Sequence, residues 1–524
     1  MRKVTIYDTT LRDGAQTEGI SYSVNDKILI AKKLDELGID FLEGGWPGSN
    51  PKDLEFFKAV RKMRFKNSKI VAFGSTRRKD MPASKDPILK EIINSGVKFI
   101  TIFGKSWDMH VKDVLKTSLD ENLAMITDTI KFIRLKKITA FYDAEHFFDG
   151  YKHNPEYALK TLLAAQNAGA QCLILCDTNG GTITSEIKDI VTKVKNTLNV
   201  EIGIHVHNDN GMAVANSIAA VEAGCSHVQG TINGYGERCG NADLCAIIGC
   251  LELKLKMKAV GGANLKELTE VSRYVSEVSN MKQQDNQPFV GTSAFAHKAG
   301  VHINAMIKNV LTYEQIAPET VGNKRRFLAS ELAGKTSILF KAKQLSFDLE
   351  KNDKSTKKLH RQIQELEYEG YQFEAAEASF ELLIKKTLKK IKKFFELDGF
   401  RVIVEKRQDN TLISEATVKL KVGKVRVHTA SEGEGPVNAL DSALRKALSG
   451  FYPELERMHL SDFKVRVLDS KAGTAAKVRV FIESQDEKNS WWTVGVSENI
   501  IEASWQALVD SIEYKLLKEK ETKK

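Results

Sequence analysis

Two histidines two residues apart, His205 and His207 in the run H-V-H-N-D-N-G, concentrate the chemistry of this sequence. On a strand, residues i and i+2 share a face, so both imidazoles project together. Two neutral imidazoles and one carboxylate make a facial set for a divalent ion, with positions left open for a substrate. The carboxylate candidate is Asp13, in the run Asp8-Thr9-Thr10-Leu11-Arg12-Asp13-Gly14-Ala15-Gln16. A third polar run, G-Y-G-E-R-C-G-N from Gly234 to Asn241, follows downstream. A pair of structural histidines is the competing explanation of H-x-H alone, and the company of R-D-G and G-E-R-x-G-N favours the metal. Asp177 and Asn179 read as residues bonding backbone in their own loop. Glu237 and Arg238 read as pairing with each other or with first-strand residues. His146, His153 and His227 read as structural, and Cys239 as incidental.

The elements that must position these groups repeat through residues 1 to 250: a short apolar β-rich run, a polar loop, then an amphipathic stretch. The predicted strands are Val4–Thr10, Phe41–Gly45, Ile70–Gly74, Phe99–Phe103, Ile138–Tyr142, Cys172–Cys176, Ile202–Val206 and His227–Thr231. Eight such runs with helix-length spacers predict an α/β fold, a (β/α)8 TIM barrel. The stretch before each even-numbered strand ends in glycine (Gly38, Gly96, Gly169 and Gly224), which supplies the left-handed turn out of a helix. An open doubly wound sheet would want a glycine-rich phosphate loop after the first strand, and D-T-T-L-R-D-G-A-Q is not one. In such a barrel the C-terminal strand ends carry the catalytic groups. Closure through strand 8 brings Asp13 close to the histidines of strand 7.

The chain has 524 residues, 42% hydrophobic and 28% charged, which predicts two to four domains. We divide it into the barrel (1–265), a linker subdomain (266–350), a helical connector (351–395) and a C-terminal α+β domain (396–524). In the connector, Tyr368, Tyr371 and Phe373 read as core. The last domain carries two strand-rich segments, each followed by an amphipathic stretch, G-P-V-N-A-L-D-S-A-L-R-K-A-L from Gly435 and N-I-I-E-A-S-W-Q-A-L-V-D-S-I from Asn499. That pattern predicts two βββα halves with a crevice between them, whose helix N-termini near Gly435 and Asn499 would receive a carboxylate. No run of ~18 apolar residues and no secretory leader is present, so a cytoplasmic protein without membrane contact is expected. The net charge of +10 resides largely in lysine runs such as Lys385–Lys393 and Lys518–Lys524. These lack interleaved aromatics, so no nucleic-acid partner is expected. Six cysteines between Cys172 and Cys250 form no C-x-x-C and read as buried thiols.

D-T-T-L-R-D-G-A-Q and H-V-H-N-D-N-G, with G-Y-G-E-R-C-G-N-A-D-L, H-K-A-G-V-H-I-N-A-M (from His297) and Y-E-Q-I-A-P-E-T-V-G-N (from Tyr313), resemble the signatures of the Claisen-condensing, metal-dependent barrel family. That family contains the isopropylmalate, homocitrate and citramalate synthases, and the segment Y-D-A-E-H-F-F-D-G-Y-K is most similar to its citramalate-forming branch. The resemblance implies a divalent ion (Mn²⁺ or Mg²⁺, or Zn²⁺) on Asp13, His205 and His207, with Asn241 as a further ligand. It implies catalytic roles for Arg12, Glu145, His302 and Tyr313, and substrate binding by Arg12, Gln16 and Asp143. Asp143 is also a departure from some relatives. The implied substrates are acetyl-CoA and a 2-oxoacid: pyruvate for this branch, as the first step of the pyruvate route to isoleucine. Sister activities would take other 2-oxoacids, giving isopropylmalate or homocitrate, and a lyase on the same barrel is the more distant alternative. The resemblance further implies a homodimer in which the segment bearing His302 reaches the neighbouring subunit's barrel. It also implies a regulatory, LeuA-type tail, with isoleucine or else leucine as feedback effector. Trp46, Phe141 and Tyr142 are the candidates to crowd the acyl pocket, and the sequence leaves open which of them face it.

Overall fold

The computed structural model describes residues 2–328, 342, 354–388, 391, 393–468, 475–487 and 489–522. The parts of the expected linker and connector at 329–341 and 343–353 lie outside the described residues. The described residues form two compact units, Met1–Phe295 with Gln315–Arg325, and Ala296–Glu314 with Arg326–Lys524.

The first unit is a closed, all-parallel eight-strand barrel: β1 (Thr5–Asp8), β2 (Phe41–Gly45), β3 (Lys69–Ser75), β4 (Phe99–Lys105), β5 (Thr139–Glu145), β6 (Cys172–Asp177), β7 (Glu201–Val206) and β8 (His227–Gly230). Closure is made by β1 on β8, with Asp8 opposite Gly230. All eight predicted strands are present, offset by at most three residues at an end. The helices between them bury their apolar stripes against the outer face of the sheet, as in Ile30, Leu34 and Leu37 of Val24–Leu37. Ser23 and Asp26 start that helix with a reciprocal capping box. Gly38, Gly96, Gly169 and Gly224 all stand at positive φ, between 78° and 124°, a region that penalises any side chain with a Cβ.

Inward-facing Tyr7, Phe41, Val71, Phe141, Cys172 and Ile174 fill the barrel below its mouth, so it is a packed core and not a pore. His227 is packed among them, with its ring 5.3 Å from Tyr7 and 5.7 Å from Phe141. Cys172, Cys176, Cys225 and Cys245 are buried as expected, whereas Cys239 is exposed. After the barrel, helix Leu268–Val278 packs on helix Val24–Leu37 within the same unit, past the expected boundary at 265.

In the second unit a short parallel pair, β9 (Ala296–His297) with β10 (Arg326–Phe327), flanks helix Gly300–Lys308. Helices Lys354–Glu369 and Glu377–Thr387 follow. Tyr371 and Phe373 pack there with ring centroids 5.8 Å apart, but Tyr368 is 92% exposed and is not core. Two antiparallel sheets complete the unit. The first is β11 (Glu396–Lys406), β12 (Leu412–Val422) and β13 (Val425–Gly433), followed by helix Pro436–Leu448. The second is β14 (His459–Val467), β15 (Val478–Gln485) and β16 (Ser490–Ser497), followed by helix Ile500–Thr522. These are the two predicted βββα halves, and they share one apolar core. Among the described residues no helix is long and apolar enough to cross a membrane.

Candidate active site

The loop leaving β1 is held by side chains before any catalytic group is placed. Asp8 accepts hydrogen bonds from the Thr10 amide (2.9 Å) and hydroxyl (2.8 Å), which turns the chain sharply. Arg12 and Asp13 then point across the barrel mouth. Arg12 Nε donates to Glu43 Oε1 at 2.6 Å, and its guanidinium lies 3.8 Å over the Phe73 ring. Burial works against the charge of Arg12, but Glu43 and Asp13 outweigh it and raise its pKa further.

Glu43, on β2, escaped the sequence reading. It is completely buried and accepts from the hydroxyls of Tyr7 and Thr9 as well as from Arg12. An isolated acid within an otherwise apolar strand is the signal that would have found it, because a buried carboxylate needs partners.

At the C-terminal end of β7, His205 and, just past the strand, His207 face the mouth together. Their Nε2 atoms are 3.3 Å apart, and His205 Nε2 is 3.4 Å from Asp13 Oδ2. Candidate ligand atoms of the three residues all lie within 4.8 Å of one another, each residue being buried. Burial lowers the pKa of His205, and burial with the charge of its neighbour lowers that of His207 to about 4. Both rings are therefore neutral near pH 7, the form a metal needs. Burial works to raise Asp13, but Arg12 and the two histidines more than offset it, so the carboxylate stays ionised. Asn241 donates through Nδ2 to the Tyr235 carbonyl (3.1 Å), and its buried Oδ1 has no hydrogen-bond partner among the described residues. This donor set of one carboxylate, two neutral imidazoles and a spare amide oxygen fits a divalent ion.

The cavity over these groups has a volume of about 250 Å³ and is lined by Arg12, Asp13, Gln16, Asp143, Glu145, His205 and His207. Seven of the ten candidate site residues thus line one cavity. Trp46, Phe73 and Phe103 form its apolar side, with Phe73 and Phe103 stacked (5.3 Å) and Trp46 edge-on to both. Of the three candidates to crowd this pocket, Trp46 lines it, and Phe141 and Tyr142 do not. Phe141 faces inward one layer lower, and Tyr142 faces outward toward Ser106, because alternate residues of a strand take opposite faces. Asp143 accepts from Gln229 Nε2 (3.1 Å), and burial, reinforced by the charge of Glu43, pushes its pKa well above the usual carboxylate range. Glu145 pairs with Lys105, its register partner on β4.

The rim residues divide. Asp177 accepts from the Thr182 amide and hydroxyl in its own loop, as read from the sequence. Asn179 bonds the Asp149 side chain instead, and Arg238 pairs with Asp209 (2.8 Å) more closely than with Glu237 (3.9 Å). His302 and Tyr313 belong to the second unit, where their rings stack with centroids 4.0 Å apart.

A closed (β/α)8 barrel with a carboxylate and two imidazoles converging at its C-terminal mouth defines a class of metal-dependent barrel enzymes. Residues 3–275 match the HMGL-like family, residues 289–370 the homocitrate synthase post-HMGL domain-like family, and residues 374–516 the LeuA allosteric (dimerisation) domain. The chain belongs to the HMGL-like family and, within it, to the group that includes the (R)-citramalate and 2-isopropylmalate synthases. It is 55% identical over 521 residues to the (R)-citramalate synthase of Aquifex aeolicus, covering 99% of both chains. Identity to the (R)-citramalate synthase of Geobacter sulfurreducens is 54%, again over 99% of both chains. The 2-isopropylmalate synthase of Methanocaldococcus jannaschii is more distant, 33% identical over 97% of this chain and 94% of that protein.

Proposed function

We propose that the chain condenses acetyl-CoA with pyruvate and water to give (R)-citramalate and free CoA. One observation carries this reading beyond similarity: Asp13, His205, His207 and Arg12 converge on a small cavity that Trp46, Phe73 and Phe103 also line. Asp13, His205 and His207, with Asn241, would hold a divalent ion, which would supply Lewis acidity toward the keto and carboxylate oxygens of a 2-oxoacid. Arg12, fixed by Glu43, stabilises the negative charge that grows on the keto oxygen as the new carbon–carbon bond forms. The acetyl methyl loses a proton, its carbon bonds to the keto carbon, and water then cleaves the thioester to release CoA. In our reading His302 takes that proton, Tyr313 orients the ring it stacks on, and Glu145 tunes the pair. Gln16 and Asp143 contact the 2-oxoacid. Trp46, Phe73 and Phe103 leave room for the methyl group of pyruvate and disfavour branched side chains.

We also propose that a homodimer completes the site. Around His302 the surface is apolar and bare, with Val301 77% and Leu311 74% exposed, and a second copy of the chain would cover it. The barrel (1–265), the linker with His302 (266–350), the connector (351–395) and the regulatory tail (396–524) are the functional divisions of this reading. The deciding experiment is thiol release from acetyl-CoA with pyruvate, 2-oxobutyrate, 2-oxoisovalerate and 2-oxoglutarate in turn. Pyruvate should win, with leakage to 2-oxobutyrate, since one methylene is worth only ~1–3 kcal/mol in an apolar pocket. A preference for 2-oxoisovalerate or 2-oxoglutarate would move the chain to a sister activity.

A further inference from the structure

Behind the histidine pair, Gln229 links two residues of the site, and neither the sequence motifs nor the proposed chemistry uses it. Gln229, on β8, is fully buried between a metal-facing imidazole and a carboxyl. His205 Nδ1 donates to Gln229 Oε1 at 2.9 Å, and Gln229 Nε2 donates to Asp143 Oδ1 at 3.1 Å. All three side chains are at least nine-tenths buried, so water does not substitute for either bond. A carboxamide has one accepting end and one donating end, and here the donating end meets Asp143 Oδ1. Asp143 offers an oxygen that takes the amide N–H. The amide oxygen is thereby turned to His205, where it can only accept. His205 must therefore carry its proton on Nδ1 and present the Nε2 lone pair toward Asp13 and His207. The other imidazole has no such guide, because His207 Nδ1 is buried without a hydrogen-bond partner among the described residues.

We infer that Gln229 is the positioning residue that locks the metal-binding tautomer of His205, and that Asp143, through Gln229, ties the wall of the substrate cavity to the strength of metal binding. Outer partners of metal-bound histidines fix tautomer and ring orientation, and their loss typically costs ~10–100-fold in metal affinity. The inference rests on the reading of Asp13, His205 and His207 as a metal centre, and the test separates the two.

Mn²⁺ dissociation constants are measured by chelator competition on the full-length wild type and on Gln229→Leu, Gln229→Glu and Asp143→Ala, with thermal unfolding of each metal-free protein. Gln229→Leu removes both bonds and should weaken Mn²⁺ about 10–100-fold. Gln229→Glu keeps an acceptor for His205 Nδ1 and should stay within about threefold of wild type. Asp143→Ala frees the amide to rotate and should weaken Mn²⁺ threefold or more, although Asp143 is not a ligand. Unchanged affinity in Gln229→Leu, or in Asp143→Ala if the first variant does not fold, overturns this role of Gln229. Gln229→Glu as weak as Gln229→Leu also overturns it, since the acceptor would then not matter. A wild type that binds no divalent ion removes the metal-centre reading itself.

Discussion

At the scale of single residues, the site is a set of charges that would be costly to bury alone and are stable together. Asp13 and the two histidines were legible from spacing, because strand periodicity puts i and i+2 on one face. Glu43 was not. Its partners Tyr7, Thr9 and Arg12 come from 31 to 36 residues away, and only the pairing of β1 with β2 brings them to it. Two outcomes follow from this geometry. Removing divalent ions with chelator should abolish turnover and added Mn²⁺ or Mg²⁺ should restore it, while His207→Ala should lose activity without loss of the barrel's circular dichroism. Full activity in thoroughly stripped enzyme would contradict the metal centre. Glu43→Gln keeps an acceptor near Arg12 but deletes the charge that opposes it. We expect kcat to fall by about tenfold or more through a misplaced guanidinium, and a rate equal to wild type would show that Arg12 needs no such anchor.

At the scale of elements, the barrel was readable because each strand, spacer and glycine stop agreed with the others. The facing of individual side chains within β5 was less so. Asp143 and Glu145 share the inward face with Phe141, and Tyr142 takes the outer one, a parity that the sequence left open. The same inward layer carries a pH liability. His227 sits in the packed interior between β7 and β1, and burial lowers its pKa from 6.5 to about 3. The unfolded chain therefore binds a proton that the folded chain refuses between about pH 6.5 and 3. Stability rises with pH across that window and is lost as pH falls through it, by about 1.4 kcal/mol per unit from this residue. Urea unfolding from pH 6.5 to 4 should show that slope in wild type, and His227→Leu should flatten it by about that amount, whatever the substitution costs at pH 7. An unchanged slope would mean that His227 is charged inside the barrel.

At the scale of the whole molecule, the duplication in the tail was legible, but the side chains that line the crevice between its halves were not. The helix N-termini expected to take a carboxylate are occupied: Asn499 Oδ1 accepts from the Ile501 amide (2.8 Å), and Pro436 leaves the other helix without its first N–H. Between the halves lies a cavity of about 760 Å³, lined by Val437, Asn438, Asp441 and Arg445 of the helix that starts after Gly435 and by Met458, His459, Leu460 and Phe463 of the second half. We propose that it receives a free amino acid with an aliphatic side chain. Asp441 Oδ2 accepts from Arg445 Nε (2.8 Å), while Asp441 Oδ1 is buried with no hydrogen-bond partner among the described residues, an acceptor ready for an ammonium group. Val437, Leu460 and Phe463 would cover the side chain. If the product feeds isoleucine synthesis, isoleucine is the expected inhibitor and leucine the alternative. Coupling between separate sites of ~1–3 kcal/mol predicts a shift of about 5–150-fold in the affected affinity. Asp441→Asn should therefore keep the uninhibited rate and lose most isoleucine sensitivity, and removal of the residues after Glu396 should abolish that sensitivity. Should either protein remain inhibited at wild-type isoleucine concentrations, the effector must bind outside this crevice, and the barrel becomes the place to look for it.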